Sequence, residues 1–552
     1  MENYNRYYSD YTYAQFFTHW KDRGVTVYVG ANDGMLHAIK AGTFTEGDNP
    51  ATAGKEEHGW YDATEVPATS GDLGSERWAY IPYHLLPHLK WLTDPGYTHV
   101  YYVDLKPKVS DVRIFSDDAD HPNGWGTILI GGMRLGGGAN MPMALTDDFG
   151  GPLGVETRTF RSAYFAMDIT IPDSPRLLGE FTDANLGFTT SYPAIARLEA
   201  NEGFQNPEDD EWFCIMGSGP TECDGNSNQN GYVFVVDLAN GQLVKTFQTP
   251  ESNAFMATPV TLDLNLNYNV DTIYIGETYE QGGIEMGKMY RISTRSTSNP
   301  APDAAPWPYK TDPAADSWLM TTLFSSSTPI TASPTASLDE DENIWVYFGT
   351  GKYYGVDDKM DATTQYFYGV KDPCAYGDCD PVNDEVAFAD LYNSSNITIL
   401  TNKEVVGATA TEWDAFVDEV QAEKGWYLSL VNGGERVLNR PSILGGVVLF
   451  APFKPESDIC GYGGTGSLYA LYYETGTAYY KAILGKEVYG TNEEESIKMM
   501  NLEKGITSEI GIHVGKKAKS SGFIQQGTGS VTQVEIAPAF NIKSGIIGWM
   551  QY

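Results

Sequence analysis

Basic residues are scarce in this sequence. The chain has 552 residues, with 36 lysines and arginines against 73 aspartates and glutamates, and a formal net charge of −37. A nucleic-acid-binding protein needs a basic surface that replaces the counterions of the phosphates, so this composition argues against nucleic acid as a partner. An acidic chain rich in asparagine and tyrosine instead suits an extracellular protein that meets divalent cations.

Long hydrophobic runs are missing as well. The longest apolar stretches have the length of a strand, and they predict no membrane-spanning segment. The first residues, MENYNRYYSDYTYAQFF, contain neither the basic nor the apolar region of a signal peptide. If the protein is exported, we therefore expect this chain to derive from a longer precursor.

The sequence lacks the cysteine spacings of zinc ribbons, redox motifs and covalent haem sites. Its five cysteines are Cys214, Cys223, Cys374, Cys379 and Cys460. The close pairs 214/223 and 374/379 would suit short-loop disulfides in an oxidising compartment. Cys460 could pair instead with either member of the second pair, and unpaired buried thiols are a further alternative.

Motifs of catalysis are also sparse. Only His84 and His88 have the i, i+4 spacing of a helical metal pair, and Pro87 between them disturbs the helix that such a pair needs. We find no phosphate-binding loop, no GxGxxG after a strand and no GxSxG elbow. These absences favour a protein that is not an enzyme.

Glycine and proline are abundant, and one strand pattern recurs. Each unit opens with a proline-marked strand, continues with an apolar strand that ends in glycine, and closes with a strand that ends near aspartate. The marker prolines are Pro107, Pro193, Pro259, Pro334 and Pro441. Incomplete copies at 25–42 and 507–538 bring the number of units to seven. Radially repeated four-stranded sheets form a propeller, so the pattern predicts an all-β, seven-bladed β-propeller. A chain of β-sandwiches is the alternative, but it would not produce one repeated strand order.

The units are longer than propeller blades, which have about 40–50 residues, so loops and short helices must be inserted between strands. We predict an N-terminal lead-in at 1–24 and a single propeller domain at 25–552, with insertions near 43–98, 136–160 and 373–425. We also expect the ends of the chain to close the ring, because the first unit lacks its opening strand and the tail 529–540 offers a late one.

Two segments of the insertions have helical patterns. Residues 78–92 are amphipathic and predict a short helix interrupted by proline. Residues 411–425 place Trp413, Phe416, Val417 and Val420 at helical spacing. An apolar stripe of this kind predicts a packing surface more than a groove for a partner.

The stretch TLDLNLNYNVDTIYIG carries oxygen-bearing side chains at every second position. They are Asp263, Asn265, Asn267, Asn269 and Asp271. Oxygens at positions 1, 3, 5, 7 and 9 of a tight loop can surround one hard cation, with position 7 contributing its backbone carbonyl. The loop is not an EF-hand, since it lacks glycine at position 6 and glutamate at position 12. It predicts a calcium site, and a metal-free hairpin of Asx turns is the alternative.

Several blocks of the sequence resemble the C-terminal domain of PilY-type type IV pilus proteins. The resemblance runs in order from about residue 25 to the C-terminus. Its blocks include YVGANDGMLHA (28–38), WAYIPYHLLPHL (78–89), GWGTILIGG (124–132), FGTGKYYG (348–355), TQYFYGVKD (364–372) and SDICGYGGTGSLYAL (457–471).

This resemblance implies a seven-bladed propeller of quinoprotein-like form with a calcium loop at residues 263–271. It implies a non-enzymatic protein at the cell surface or pilus tip, which supports pilus assembly, balances extension against retraction and mediates adhesion. The implied partners are minor pilins of the pilus tip and a host or abiotic surface. This loop has Asn265 where an aspartate is common in the family, which bears on calcium affinity.

Two other functions stay open at this point. A quinoprotein dehydrogenase shares the propeller form, but such enzymes commonly have an adjacent-cysteine disulfide and an axial calcium, and this chain has no adjacent cysteines. The other is a secreted adhesin propeller that works without a pilus.

Overall fold

The computed structural model describes most of the chain. The described residues are 2–52, 59–62, 73–138, 141–145, 156–199, 210–300, 309–312, 314–374, 380, 384–456, 463–489, 493–514 and 520–540. Sheets of mainly antiparallel strands follow one another along this part of the chain, and seven of them have three or more strands. We number these seven sheets as blades in chain order.

The first three blades each contain four strands. Blade 1 has Val25–Gly30, Leu36–Glu46, Gly59–Asp62 and Glu76–Tyr80; blade 2 has Lys108–Arg113, Trp125–Gly132, Tyr164–Asp168 and Arg176–Phe181; blade 3 has Ala194–Glu199, Asp210–Gly217, Tyr232–Asp237 and Leu243–Gln248.

The later blades vary more in strand number. Blade 4 has Ala254–Met256, Val260–Leu262, Thr272–Gln281, Ile284–Ser293 and Leu319–Ser326; blade 5 has Thr335–Leu338, Ile344–Gly349, Tyr366–Lys371, Tyr392–Asn393 and Gly425–Ser429; blade 6 has Ser442–Leu444, Val447–Phe450, Phe453–Pro455, Gly464–Tyr472 and Met499–Lys504; blade 7 has Gly511–Val514, Ser520–Gln525 and Val531–Ile536.

The marker prolines lie where the repeat predicts them, immediately before the first strand of a blade. Pro107 directly precedes Lys108–Arg113, and each of the other four marker prolines directly precedes a strand of blades 3 to 6. In blade 4, the short strand Ala254–Met256 comes before the marker proline. Proline cannot donate to a ladder hydrogen bond, so it is tolerated at a strand start and disfavoured inside a central strand. The spacing of the marker prolines therefore indicates where these blades begin.

The middle strands of the blades form the core. Every residue of Trp125–Gly132 and of Ile344–Gly349 is buried, as expected for short apolar runs covered on both faces. A cavity of about 440 Å³ is lined by Leu262 of blade 4, Ser337 of blade 5 and Ser442 of blade 6, together with Ile512 of blade 7. Strands from four successive blades thus line one cavity. The predicted seven-bladed β-propeller is confirmed.

We expected the tail strand to close the ring by completing the first blade, and this expectation is wrong for the described residues. Val531–Ile536 pairs with Ser520–Gln525 inside blade 7, while Val25–Gly30 pairs with Leu36–Glu46 inside blade 1. The tail strand has a neighbour of its own because residues 507–538 supply three consecutive strands, which suffice for a separate sheet. The first and the last described strands therefore belong to separate blades.

The short-loop disulfide at 214/223 is also wrong. Cys214 is buried in the middle of Asp210–Gly217, Cys223 is exposed in the following loop, and both thiols are free. The strand advances about 3.3 Å per residue and carries the chain away from Cys214 before the loop begins. Cys374 is disulfide-bonded. Cys379 and Cys460, the two partners considered for it, lie outside the described residues.

The insertions contain short helices and two-stranded ribbons. Residues Tyr83–Thr93 form a 3-10 helix that contains Pro87. Residues Trp413–Gln421 form an α-helix, α3, whose Trp413, Phe416 and Val420 lie in a core cluster, which confirms the predicted packing stripe. The remaining short elements are the 3-10 helices Pro122–Gly124, Ala315–Ser317, Asp357–Lys359 and Phe388–Asp390 and the ribbons Met141–Leu145/Glu156–Phe160, Arg295–Pro300/Tyr309–Thr311, Thr398–Ile399/Val405–Val406 and Lys486–Tyr489/Glu493–Ser496.

The N-terminal lead-in forms two α-helices, α1 at Tyr4–Tyr7 and α2 at Tyr11–Trp20. Asp10 caps α2, since its side chain accepts hydrogen bonds from the backbone N–H groups of Thr12 and Tyr13 at 2.9 and 3.0 Å. The lead-in therefore adds regular structure to the propeller ahead of blade 1.

Candidate cation-binding loop

The alternating Asx residues form the hairpin loop of blade 4. Val260–Leu262 pairs with Thr272–Gln281, and the last pair in register is Leu262 with Thr272. Residues 263–271 thus connect two adjacent strands at one end of the blade. The loop is held close to the sheet because the Asp271 N–H donates to the Leu262 carbonyl at 2.8 Å.

The two carboxylates of the loop are almost completely buried. Asp263 is 1% exposed and Asp271 is 2% exposed. The Tyr268 N–H donates to Oδ2 of Asp263 at 2.8 Å, and the Leu264 N–H donates to Oδ2 of Asp271 at 2.7 Å. Burial, followed by the negative charge of Asp271, raises the pKa of Asp263. Burial thus disfavours the charged form of Asp263, and a cation bound at the loop would favour it.

Two of the asparagines accept hydrogen bonds from backbone N–H groups of the loop. The Asn267 N–H lies 3.1 Å from Oδ1 of Asp263 and 3.2 Å from Oδ1 of Asn265, so these two oxygens converge on one donor. Oδ1 of Asn267 accepts a hydrogen bond from the Asn269 N–H at 2.9 Å. The structure thus brings the side-chain oxygens of Asp263 and Asn265 to one donor, whereas the side-chain oxygen of Asn267 lies at the next one.

Asn269 has a different orientation. Its Oδ1 accepts a hydrogen bond from the Glu199 N–H of blade 3 at 2.7 Å. The side-chain oxygen is therefore engaged outside the loop. Asn269, at position 7 of the loop, can still offer its backbone carbonyl to a ligand. Calcium loops usually bind the ion through the backbone carbonyl at this position.

The backbone of the loop coils tightly. Leu266 and Tyr268 have φ values of 56° and 76°, in the left-handed region that non-glycine residues adopt at a cost of about 1–2 kcal/mol each. The ring of Tyr268 is fully buried, and the guanidinium of Arg197 lies 3.9 Å from its centroid. Packing of Tyr268 thus helps to hold a strained coil in place.

One arginine already opposes the loop's negative charge. Arg295 Nε lies 3.2 Å from Oδ1 of Asp271, and both side chains are buried. This ion pair favours a metal-free loop, as do the Asx-turn hydrogen bonds of Asn265 and Asn267. Asp263, in contrast, has no cationic partner in the described part of the structure. An oxygen-only donor set with one uncompensated buried carboxylate fits a hard cation such as calcium.

No three His, Cys, Asp or Glu side chains within the described ranges are grouped so that they could hold a metal ion. The loop has only two carboxylates, so its capacity for a cation depends on amide and backbone oxygens. Such a set implies weaker binding than a loop with three or four carboxylates.

Sequence reasoning did not find the neighbours of the loop. Tyr8 of the lead-in hydrogen-bonds Asp263 through its side chain, Glu199 holds Asn269, and Arg295 holds Asp271. Tyr8 and Glu199 are distant from the loop in the chain, and two strands separate Arg295 from it. No spacing in the sequence links these residues to the loop. Only the packing of blades 3 and 4 and the lead-in brings them together.

The fold and the loop together define a β-propeller with an oxygen-lined hairpin in one blade. Residues 4–393 match the PilY1 beta-propeller domain. The chain belongs to this family.

Curated relatives extend the similarity over most of the chain. The type IV pilus biogenesis factor PilY1 of Pseudomonas aeruginosa strain UCBPP-PA14 is 27% identical over 504 residues, which cover 84% of this chain and 37% of that protein. A PilY1 homolog of Xylella fastidiosa is 24% identical over 474 residues, or 83% of this chain and 30% of that protein. This chain thus spans about a third of the length of these relatives.

A solved structure has the same fold. The crystal structure of the Pseudomonas aeruginosa PilY1 C-terminal domain superposes with a TM-score of 0.63 at 18% sequence identity and covers 96% of each chain. Across the described residues, no helix is long and apolar enough to span a membrane.

Proposed function

We propose that this chain is a non-enzymatic, pilus-associated propeller that supports type IV pilus biogenesis. The observation that carries the proposal is the family match over residues 4–393, together with relatives named as type IV pilus biogenesis factors that align with 84% and 83% of the chain. The acidic surface and the many ordered blades suit a rigid scaffold outside the cytoplasm.

The proposed site of action is the cell surface or the pilus tip. There the propeller would contact minor pilins, influence the balance of extension and retraction, and take part in adhesion to a host or abiotic surface. Loops carry recognition more often than the scaffold that positions them, so we assign these contacts to the insertions between blade strands.

The strongest candidate for such a contact is the segment 78–101. Its 3-10 helix buries Leu85 and His88, which anchors it to the propeller. The opposite side leaves Leu86 47% exposed and Leu92 40% exposed, and Tyr97 and Tyr101 are exposed nearby. One face therefore packs as a cap while the other offers an apolar surface.

The loop at 263–271 is the proposed calcium site. Asp263 and Asp271 would supply the carboxylates, Asn265 and Asn267 would supply side-chain oxygens, and Asn269 would supply its carbonyl. A bound cation would neutralise the buried carboxylate pair. We propose that calcium thereby stabilises this end of blade 4.

The pilus role is tested by deleting the encoding gene and counting surface filaments by electron microscopy. Deletion should reduce filament number, and expression of the wild-type protein should restore it. Gold-labelled antibody against the chain should mark filament ends. Normal filaments after deletion would overturn the proposal, and label on the cell surface with none on filaments would favour a pilus-independent adhesin.

The contribution of the loop is tested in the same strain with Asp263→Asn. Asp224→Asn is a matched control, because Asp224 is exposed in another Asx-rich loop and forms local hydrogen bonds with Asn226. If the loop matters for pilus function, only Asp263→Asn should change filament number or length at an unchanged protein level. Equal behaviour of the two variants would remove the loop from the proposed function.

A further inference from the structure

The N-terminal lead-in packs against three blades. Tyr4 and Tyr13 are fully buried. The ring centroid of Tyr4 lies 5.6 Å from that of Trp125 in blade 2 and 6.2 Å from that of Trp212 in blade 3. Aromatic contacts at these distances add to the burial energy. Helices α1 and α2 therefore bridge the blades that precede the Asx loop.

A polar anchor fixes the same segment. The Tyr13 hydroxyl donates to Oδ2 of Asp111 in blade 2 at 2.8 Å, and the Glu2 N–H donates to the same oxygen at 2.9 Å. The Trp125 indole N–H donates to the hydroxyl of Thr12 at 2.9 Å. These bonds hold the residue ahead of α1 and the first turn of α2 against blade 2.

The residue between the two helices reaches the Asx loop. Tyr8 is 8% exposed, and its ring stacks on that of Tyr268 with centroids 4.1 Å apart and an interplanar angle of 13°. Its side chain also hydrogen-bonds the carboxylate of Asp263. Tyr4 contacts Tyr268 from a second direction, with centroids 5.3 Å apart. The loop is thus enclosed by a segment that lies more than two hundred residues earlier in the chain.

We propose that Tyr8 is a positioning residue of the cation loop, so that the lead-in and the loop respond to calcium as one unit. The inference rests on the proposed calcium site. A carboxylate oxygen has more than one lone pair, so Asp263 can accept the Tyr8 hydroxyl and still offer oxygen to a cation. Hydrogen-bonding partners of this kind orient the groups that bind a metal.

The coupling must work in both directions. If the Tyr8 hydroxyl strengthens calcium binding, calcium strengthens the docking of the lead-in by the same factor. Tyr268 transmits the effect as well, because its N–H binds Asp263 while its ring packs on Tyr8 and Tyr4. Calcium should therefore order α1 and α2, although neither helix supplies an oxygen to the ion.

The first test is calorimetry with calcium chloride on the full chain. Tyr8→Phe keeps the ring and its stacking but removes the hydroxyl, and it should weaken calcium binding by about tenfold, as loss of a supporting hydrogen bond typically does. Tyr11→Phe is the matched control, since Tyr11 belongs to the same segment and is 55% exposed. Its isotherm should equal that of the wild type.

The second test needs no variant of the lead-in. Hydrogen exchange of residues 4–20 should slow when calcium is added to the wild-type chain, and Asp271→Asn should lose this protection. Exchange in α3, which lies in the insertion of blade 5, serves as the internal control and should not change.

The outcomes separate the inference from the proposed site. Absence of calcium binding by the wild-type chain would overturn the calcium site, and the coupling with it. Calcium binding with equal affinities for Tyr8→Phe and Tyr11→Phe and no change in exchange at 4–20 would overturn the coupling alone. A tenfold loss confined to Tyr8→Phe, with calcium-dependent protection of 4–20, supports both.

Discussion

The side-chain oxygen of Asn269 accepts a hydrogen bond from the backbone N–H of Glu199 at 2.7 Å. This bond joins the loop of blade 4 to the end of the first strand of blade 3. It separates Asn269 from the other members of the Asx series, whose oxygens accept hydrogen bonds from backbone N–H groups of the loop itself. Five residues with the same spacing in sequence therefore have two different roles.

We expect Asn269→Ala to leave calcium affinity almost unchanged, because this position can still offer its backbone carbonyl. Asn265→Ala should weaken binding, because it removes a side-chain oxygen that lies beside Asp263. Calorimetry on both variants checks the prediction. Equal losses of affinity would mean that Asn269 also binds through its side chain.

Asp271→Asn should lower stability without calcium and should abolish the calcium-dependent rise in melting temperature. A ligand that binds only the folded state stabilises it by mass action, and the variant loses a carboxylate of the site. It also deprives the buried Arg295 of its charged partner at 3.2 Å. Thermal unfolding with and without calcium measures both effects, and the exposed Asp224→Asn should show neither. A full calcium-dependent rise in Asp271→Asn would contradict the assignment.

Asp372→Ala should be strongly destabilising. Asp372 accepts hydrogen bonds from Arg291 Nη1 and from the Tyr274 hydroxyl, both at 2.6 Å, and the ion pair is buried. It joins blade 5 to blade 4. Removing one partner of a buried ion pair costs about 3–5 kcal/mol of unfolding free energy.

Glu494→Ala is the control for this ion pair. Glu494 pairs with Lys486 at 2.6 Å, but about half of each side chain is exposed, and such a pair contributes about 0–1 kcal/mol. Urea unfolding of both variants provides the comparison. Similar losses in the two would mean that the Arg291–Asp372 pair does not stabilise the contact between blades.

Glu277 should make the protein less stable as pH rises toward 8. Burial raises the pKa of Glu277 from 4.5 to about 8, although the hydroxyls of Thr249 and Tyr290 donate to its carboxylate. The folded state therefore keeps a proton that the unfolded chain loses between these pH values. The stabilisation that comes from this retained proton is largest below about pH 4.5. It declines by up to roughly 1.4 kcal/mol per pH unit as the pH rises from about 4.5 to about 8.

Glu277→Gln tests this dependence, because glutamine is neutral at every pH. Relative to wild type, the variant should gain stability between pH 5 and pH 8 in urea unfolding experiments. Glu280→Gln on the same strand is the control, since Glu280 is exposed, and its difference from wild type should not vary in this way. A pH-independent difference for Glu277→Gln would show that Glu277 is ionised throughout.

Replacing Leu86 and Leu92 with serine should weaken pilus association without unfolding the protein. Both side chains are exposed, so the loss of folding energy should be small. Tyr83 and Trp91 are poorer choices, because Tyr83 packs on Phe160 with ring centroids 5.5 Å apart and Trp91 lies against His88 at 4.6 Å. Pull-down with purified filaments, alongside a melting curve, checks the prediction. Unchanged association would indicate that segment 78–101 acts as a cap only.

The repeat in the sequence determined the architecture. Each marker proline marks the start of a blade because proline disrupts a ladder inside a strand, and the following apolar run becomes a central strand because both its faces are covered. The alternation of Asx residues likewise determined that the hairpin of blade 4 has an oxygen-lined loop. These are local rules, in which a residue type at a fixed spacing has one physical consequence.

Contacts between distant segments were decided only by the tertiary structure. Tyr8 meets Asp263, Glu199 holds Asn269, and the tail strand completes blade 7 instead of blade 1, although none of these pairings follows from a spacing. The tertiary structure also decides that Cys214 and Cys223 are free thiols, because Cys214 lies on a strand in the core and Cys223 lies on an exposed loop. Burial and the packing of the blades determine these partners, and both depend on the position of each strand in the complete ring.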